Sequence, residues 1–487
     1  MSSSNRPNLL LICTDHWPGL LTRMAGHPVV MTPTLSQLAN NGVWYSNAYT
    51  ACPSCIPARR SLMTGVTART HGDRVFNQHL EMPNLPTMAQ CFRNGGYQTY
   101  AVGKLHVYPQ RNRIGFDDVI LNEEGRHHLG MLGDDYEQYI ADAGYAGQEF
   151  LGGQCSNDYN VCPWQLPDHC HSTNWTAQQM CRVIHRRDPG RPAMWYMSFQ
   201  MPHPPLWPLQ AYLDMYANVS IDPPIIGDWA GNPEKLPYMF RAYFMNGGHS
   251  IQNAPTHEIE LARRAFYATL THIDHQIRLV IGTLREEGIL DQTIIAFTSD
   301  HGDMLGDHGW WAKTVMYEMS ANVPLVIMPA KNDQREWLRA GRIDDRLVEL
   351  RDIMPTLLDM AGLDIPSHVE GMSLAQENER EYLYGEHWEN EHASRMIRSA
   401  EYKLIYYPVG NHFQLFDMKT DRRETKNLAD HPKYMDIRAK LTKQLVKNMY
   451  GNDDRWINNG QLIGEPDRPT PNSSSRHFGG QRGIRFV

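Results

Sequence analysis

Cys55, Pro57 and Arg59 lie two residues apart in the stretch Cys55-Ile56-Pro57-Ala58-Arg59-Arg60-Ser61-Leu62-Met63-Thr64-Gly65, which sets a thiol, a fixed turn and a guanidinium just before an expected helix. Proline fixes φ and suits a first helical turn, so Cys55 falls at or just before the helix N-terminus, where free N–H groups and the macrodipole favour negative charge. Arg59 adds a permanent fork of donors for an oxyanion. In outline this is an anion-handling nucleophile site. Plainer readings stand beside it. Cys52-Pro53-Ser54-Cys55 is a C-x-x-C of the kind found in redox pairs and zinc sites, although no second C-x-x-C matches it, and a cysteine can also open a helix with no chemistry attached.

Two further groups carry donors of the right type. Asp15-His16 and Asp300-His301 each follow a short apolar run, and their carboxylates with one imidazole suit a hard divalent ion, Ca²⁺ first, with Mg²⁺ or Mn²⁺ as the other choices. A single Asp at a strand end is commonly a helix cap; two Asp-His pairs together read as a metal site. Lys104 and His106, two residues apart after an expected strand, face the same side, though Lys104 alone also reads as a solvated lysine. His203 sits between two prolines. Cys155, Cys162, His169, Cys170 and His171 have no ordinary zinc spacing and read as part of a variable loop.

The elements that must position these residues are legible from periodicity. Residues 9–14 and 293–298 are continuous apolar runs, the pattern of parallel strands covered on both faces, and further strands are expected at 98–102, 193–199 and 323–328. Helices are expected at 34–41, 87–95 and 258–287. Alternating strands and helices predict an α/β fold, a doubly wound, mostly parallel sheet flanked by helices. Ligands gather beyond the carboxyl ends of such strands, so the two Asp-His pairs should meet there. Residues 122–175 show little periodicity and read as a long specificity-shaping insertion. After Gly371-Met372-Ser373-Leu374, strand-like alternation at 382–384, 394–397, 402–407 and 414–416, then a helix at 435–449, predicts a smaller C-terminal antiparallel-sheet domain. The expected divisions are 1–375, 376–455 and a tail, 456–487, extended or disordered.

Cys55 to Gly65, with its Cys-x-Pro-x-Arg core followed by Leu-Met-Thr-Gly, resembles the segment that directs oxidation of cysteine to Cα-formylglycine in the type I sulfatases of the alkaline phosphatase superfamily. The resemblance extends over most of the chain: Thr14-Asp15, Gly103-Lys104-Leu105-His106, Met201-Pro202-His203-Pro204-Pro205, Thr298-Ser299-Asp300-His301-Gly302-Asp303-Met304-Leu305-Gly306, Lys313, and Gln414 through Leu428. It implies metal ligation by Asp15, modified Cys55, Asp300 and His301. It implies catalytic roles for Cys55, Arg59, Lys104, His106, His203 and Lys313, with Lys104, His203 and Lys313 also binding the sulfate. His106 would be the base that releases sulfate, and His203 the acid for the leaving oxygen. Asn77 falls where one branch has an asparagine near the substrate, and it reads equally as a loop residue. His16 stands where many sulfatases carry a second Asp. With His301 this brings the chain nearest the branch of choline sulfatases, bacterial arylsulfatases and phosphonate monoester hydrolases.

The implied activity is hydrolysis of an aryl, glycan or small alkyl sulfate ester, after maturation by a formylglycine-generating enzyme. Phosphonate monoester or phosphodiester hydrolysis is the alternative on this scaffold, and a non-catalytic binder of sulfated glycans is the remote one. Lys104-x-His106 favours the sulfatase, because the phosphonate enzymes are expected to carry uncharged groups there. His127, His128, His171, Trp175 and Trp310 are further candidates to line the pocket.

Composition sets the outer bounds. The chain has 487 residues, a formal charge of −8 and ordinary globular content, 41% hydrophobic and 21% charged, with no long basic run. This argues against nucleic acid as a partner, so an anionic substrate must be drawn by a local basic cluster. The first apolar run is too short for a signal segment or a membrane span, and a cytoplasmic setting with reduced cysteines is expected. The tail ending Arg482-Gly483-Ile484-Arg485-Phe486-Val487 is read as an arm toward a second copy of the chain.

Overall fold

Along β1 (Asn8–Thr14) the side chains alternate between two apolar layers, Leu10 and Ile12 entering one and Leu9, Leu11 and Cys13 the other. That is why the run is apolar at every position. The computed structural model describes residues 6–129, 133–150, 158–244, 249–252 and 254–471. Its large sheet adds β2 (Val43–Tyr45), β3 (Gln98–Gly103), β4 (Asp118–Leu121), β5 (Ala193–Ser198), β6 (Thr293–Ser299), β7 (Leu325–Met328) and β8 (Arg342–Asp344). Their spatial order is β4-β3-β5-β1-β6-β7-β2-β8, and β7 runs against the direction of the other seven. Register places Thr14 opposite Ser299 and Gly103 opposite Ser198, so β1, β6, β3 and β5 end at one level.

Helices cover both faces, as a sheet of this kind requires. α1 (Pro33–Asn40) packs on the Ile12 side; α2 (Cys55–Thr64) and α3 (Met88–Asn94) pack on the Leu11 side. α4 (Ser172–His185) and α5 (Thr256–Glu286) return to the first face, and α6 (Ile353–Met360) to the second. Asp274 of α5 accepts from the Thr34 and Leu35 N–H groups, both at 2.9 Å, and so caps the start of α1, which has no side-chain cap of its own.

The expectation of an aperiodic insertion over 122–175 is corrected at two places. The short helix Asp135–Asp142 lies inside it, with Asp134 accepting from Glu137 N–H, and α4 begins at Ser172 with the His171 ring accepting from Thr173 N–H. A histidine N-cap and an eight-residue helix leave weak signals in sequence.

The C-terminal sheet runs β9 (Leu383–His387), β10 (Ser394–Arg398), β11 (Tyr402–Tyr407) and β12 (His412–Asp417), all antiparallel. Ile397, Leu404 and Leu415 face α7 (Met435–Asn448), while Met396, Ile405 and Phe416 join the core of the large domain. The tail is corrected as far as it is described. Trp456 is fully buried, its indole donates to Glu465 at 3.0 Å, and Ile457–Asn458 pairs with Gln461–Leu462, so residues 456–465 pack onto the small domain. The arm at 482–487 lies outside the described residues. Among the described residues no helix is long and apolar enough to cross a membrane.

Three buried histidines away from the sheet's carboxyl edge make stability depend on pH. Burial first holds His71 down at about 3, His171 at about 4 and His308 at about 4, against an ordinary 6.5. The unfolded chain therefore binds protons that the folded one refuses. Stability from these groups is complete above pH 6.5 and declines as pH falls toward 4, each costing about 1.4 kcal/mol per pH unit in that window. Calorimetry should show Tm falling steeply between pH 6.5 and 5; a flat Tm there would refute this account.

Candidate active site

Cys55 is the first residue of α2, with Ser54 extended before it and Ala58 N–H bonded to the Ser54 carbonyl at 3.0 Å. Its Sγ lies 3.1 Å from His301 Nε2 and 3.6 Å from Asp15 Oδ1, and His301 Nε2 lies 3.4 Å from Asp15 Oδ1. Ligands 2.3–2.6 Å from one ion stand roughly 3.3–3.7 Å apart in an octahedral shell, so the two spacings to Asp15 are those of neighbouring ligands and the thiol–imidazole spacing is slightly tighter. His301 donates from Nδ1 to the Gly302 carbonyl at 2.9 Å, which turns the Nε2 lone pair toward the cluster. Burial alone would lower the His301 pKa, yet Asp300 and Cys55 raise it to about 9; a divalent cation would answer the same negative field. The site therefore fits a metal by donor chemistry and by geometry.

Asp300 continues β6 by donating its N–H to the Thr14 carbonyl, which brings the two Asp-His pairs together as the strand-end argument requires. Its Oδ2 accepts from Arg59 Nε at 2.8 Å, and its Oδ1 lies 3.7 Å from His301 Nε2. Asp15, His16, Cys55 and His301 bring four donor atoms within 4.8 Å of one another, and Asp300 stands beside that group.

Arg59 works largely from behind. Nη1 donates to the Lys104 carbonyl at 2.8 Å and to Ser198 Oγ at 2.9 Å, leaving Nη2 as the guanidinium nitrogen without a partner among the described residues.

Lys104 is fully buried and pairs with Asp15 Oδ2 and, at 2.8 Å, with Glu124 Oε1. Burial opposes its charge, but these two carboxylates raise its pKa, and Lys104 first, with His301, holds Asp15 well below the usual carboxylate range against the effect of burial. Gly103 makes the turn: at φ 100° a Cβ would stand 1.8 Å from the Ser198 carbonyl oxygen.

His106 follows in the left-handed region at φ 58°, its N–H and that of Leu105 held by Glu123 Oε1 at 3.0 and 2.7 Å. Both His106 ring nitrogens lack a partner among the described residues, in a side chain 2% exposed. Burial, then Arg126 and Lys104, keep it neutral.

Lys313 donates to His16 Nε2 at 2.5 Å and to His203 Nε2 at 3.2 Å. Those contacts set both tautomers: His16 Nδ1–H donates to Asp303 Oδ2 at 2.6 Å and His203 Nδ1–H to the Pro204 carbonyl at 2.5 Å. Burial and the Lys313 charge hold both imidazoles neutral. Asp303 is pushed up to about 6 by burial and also accepts from Tyr159, whose ring stacks on Trp311 at 4.4 Å.

Several expected residues stand elsewhere. Asn77 is exposed and its Oδ1 accepts from His79 N–H. His171 caps α4 and holds the Trp207 carbonyl, Trp175 packs on Tyr136 in a separate core, His127 pairs with Glu137, and Trp310 is buried against Phe240. The side chain of His128, and Cys155, lie outside the described residues. Among those residues, the groups of His, Cys, Asp and Glu able to share an ion both include Asp15. Sequence reasoning missed Glu123, Glu124, Arg126, Asp303 and Tyr159. The signal for the first three was Glu123-Glu124-Gly125-Arg126 directly after β4, with Glu124 at φ 64°.

Residues 7–363 match the family model described as Sulfatase, and residues 306–450 that described as N-sulphoglucosamine sulphohydrolase, C-terminal. An arylsulfatase of Clostridium perfringens is 34% identical over 475 residues, spanning 94% of this chain and 97% of its own. A choline-sulfatase of Rhizobium meliloti is 28% identical over 467 residues, 90% and 86% of the two chains. The fold is similar to a structure solved with its substrate D-glucosamine-2-N,6-O-disulfate, at TM-score 0.72 and 21% identity over 91% of this chain and 97% of that one. It is also similar to a phosphonate monoester hydrolase of Agrobacterium radiobacter, at TM-score 0.76 and 22% identity over 91% and 95%.

Proposed function

This chain belongs to the sulfatase family, and we propose that it hydrolyses its sulfate ester with a formylglycine made from Cys55 beside a divalent ion, Ca²⁺ before Mg²⁺ or Mn²⁺. It is a sulfuric ester hydrolase. The observation that carries the proposal is the convergence of Asp15, Cys55 and His301 at ligand spacing between two buried lysines.

Asp15 and His301 would hold the ion with Asp300 beside them; bound there, it neutralises sulfonyl charge, while the hydrated aldehyde offers one hydroxyl to attack sulfur and one to expel sulfate. The chain's own residues do the rest. Lys104, fixed by Asp15 and Glu124, and Lys313, fixed by two imidazoles, place positive charge where the sulfonyl oxygens gather. Arg59 orients Asp300 and the Lys104 carbonyl and reaches the anion through Nη2. Because His203 Nδ1–H is committed to Pro204, the proton for the leaving oxygen comes from the Lys313 Nζ and His203 Nε2 pair. His106, neutral and without a ring partner among the described residues, is suited to take the proton that releases sulfate.

Maturation needs an enzyme that oxidises Cys55, and the substrate class is an aryl or sugar sulfate. Parallel rates on an aryl sulfate and an aryl phosphonate test the reading. The sulfate ester should be preferred at least about 100-fold in kcat/KM. Equal rates, or a preference for the phosphonate, would overturn it.

A further inference from the structure

Phe76 packs its ring on His106. The two stand edge to face, with centroids 5.6 Å apart and planes at 82°, the arrangement that aromatic quadrupoles prefer. Phe76 holds this place from the left-handed region, at φ 68°, an uncommon conformation for a bulky residue that persists only where the surroundings impose it. Anchors inside the turn, after it and before it do so. Inside, the buried Asp73 carboxylate accepts from Val75 N–H at 2.9 Å and from Asn77 N–H at 3.1 Å. After it, Arg60 of α2 donates from Nη1 to the Leu80 carbonyl at 2.9 Å and from Nη2 to that of Glu81. Before it, Trp388 N–H donates to the Arg74 carbonyl at 2.7 Å, which pins the turn to the small domain. Val75 and Asn77 are exposed, so the half-buried Phe76 turns inward between two residues that face solvent.

His106 needs such a neighbour. Its N–H is held by Glu123, which fixes the backbone and not the ring. Rotation of an imidazole about its last bond is broad, and among the described residues neither ring nitrogen has a partner to stop it. A catalytic base is commonly oriented by a third group bonded to it. A carboxylate in that role would also favour the charged ring, whereas an aromatic edge fixes the plane without doing so. Building on the sulfatase reading, in which His106 releases sulfate, we propose that Phe76 is a positioning residue for that step: it holds the His106 imidazole in the plane that takes the last hydroxyl proton. In the step the imidazole gains that proton, the oxygen left behind becomes a carbonyl oxygen, and the bond from carbon to the sulfate oxygen breaks with its electron pair leaving on sulfate. The contact acts after the alcohol has gone, so its loss slows the second half of the turnover alone.

The first test is magnetic resonance on the chain whose Cys55 is still a thiol, with its histidines isotope-labelled and the His106 ring signal identified by its disappearance in His106→Ala. One sharp signal is expected from wild type and from Phe76→Tyr, which keeps the ring, and a shifted, exchange-broadened one from Phe76→Ala. Phe76→Gly, at ease at positive φ, should match Phe76→Ala and carries both tests if that protein is unstable. The second test follows 4-nitrophenol release from 4-nitrophenyl sulfate by the matured proteins. Phe76→Ala should give a burst of about one equivalent per chain, then a kcat lowered roughly 10–30-fold, with kcat/KM within about 3-fold of wild type because that ratio ends at alcohol release. Phe76→Tyr should restore most of kcat, and adding Phe76→Ala to His106→Ala should cost nothing further. Equal falls in kcat and kcat/KM, no change in either, or an unmoved His106 signal overturn the proposal. A His106→Ala protein that shows no burst would overturn the role of His106 on which the proposal stands, and the proposal with it.

Discussion

Cys55→Ser is expected to release one equivalent of alcohol per chain and then stop, with steady-state turnover reduced at least about 10⁴-fold. Serine at the first position of α2 keeps an oxygen roughly 3–4 Å from Asp15 and His301, where the thiol now lies 3.6 and 3.1 Å from them. It can still displace an alcohol from sulfur under the charges of Lys104 and Lys313. What it lacks is the second hydroxyl whose proton, once taken by a base such as His106, expels sulfate. Mass spectrometry of the spent variant should therefore find a stable adduct of about 80 Da on the introduced serine, one sulfonyl group in place of a proton. Active wild type should instead carry a peptide about 18 Da lighter than the encoded cysteine predicts. Sustained turnover by Cys55→Ser, or full activity from a chain whose Cys55 is an unmodified thiol, would each refute the assignment.

What was legible in the sequence was whatever a strand or a helix start dictates locally. The two apolar runs end in Asp-His, the sheet registers them side by side, and Pro57 marks the first turn that presents Cys55. The supporting shell depends on contacts between distant segments, and periodicity carries no trace of those. Glu124 reaches Lys104 across the β3 and β4 turn only because both residues flank left-handed positions. Tyr159 comes from the insertion to hold Asp303. Arg59 shows the limit from the other side. Its motif position was plain, yet its place beneath the site, with most of its donors spent on Asp300, Lys104 and Ser198, follows only from the packing of α2 against β5 and β6. The helix at 172–185 escaped notice because its cap is a histidine, a residue type that carries little weight as a start signal.

The second large effect is expected at Asp15. Its Oδ1 stands among the proposed metal ligands and its Oδ2 pairs with Lys104, so one substitution addresses both halves of the site. Asp15→Asn keeps the shape and removes the charge. Metal content measured on the purified protein should fall well below one ion per chain, and kcat/KM by about 10³-fold, the combined loss of a hard ligand and of a charge that positions Lys104. The fold should survive, because Lys104 retains Glu124 at 2.8 Å and is not left as an unpaired buried charge. Linkage provides a readout separate from activity. An ion held at about 100 times its Kd stabilises the native state by about 2.7 kcal/mol, so adding Ca²⁺ after chelation should raise the Tm of wild type and leave that of Asp15→Asn unchanged. Lys104→Met separates the two roles: it should keep the metal-dependent rise in Tm while losing activity, since it removes a cation from the sulfonyl pocket and no ligand from the ion. If Asp15→Asn holds its metal and still responds to Ca²⁺, then Asp15 acts through Lys104 alone. The ion would in that case have to be held by the other donors of the cluster, with His16, already fixed through Nδ1 by Asp303, in the place assigned to Asp15.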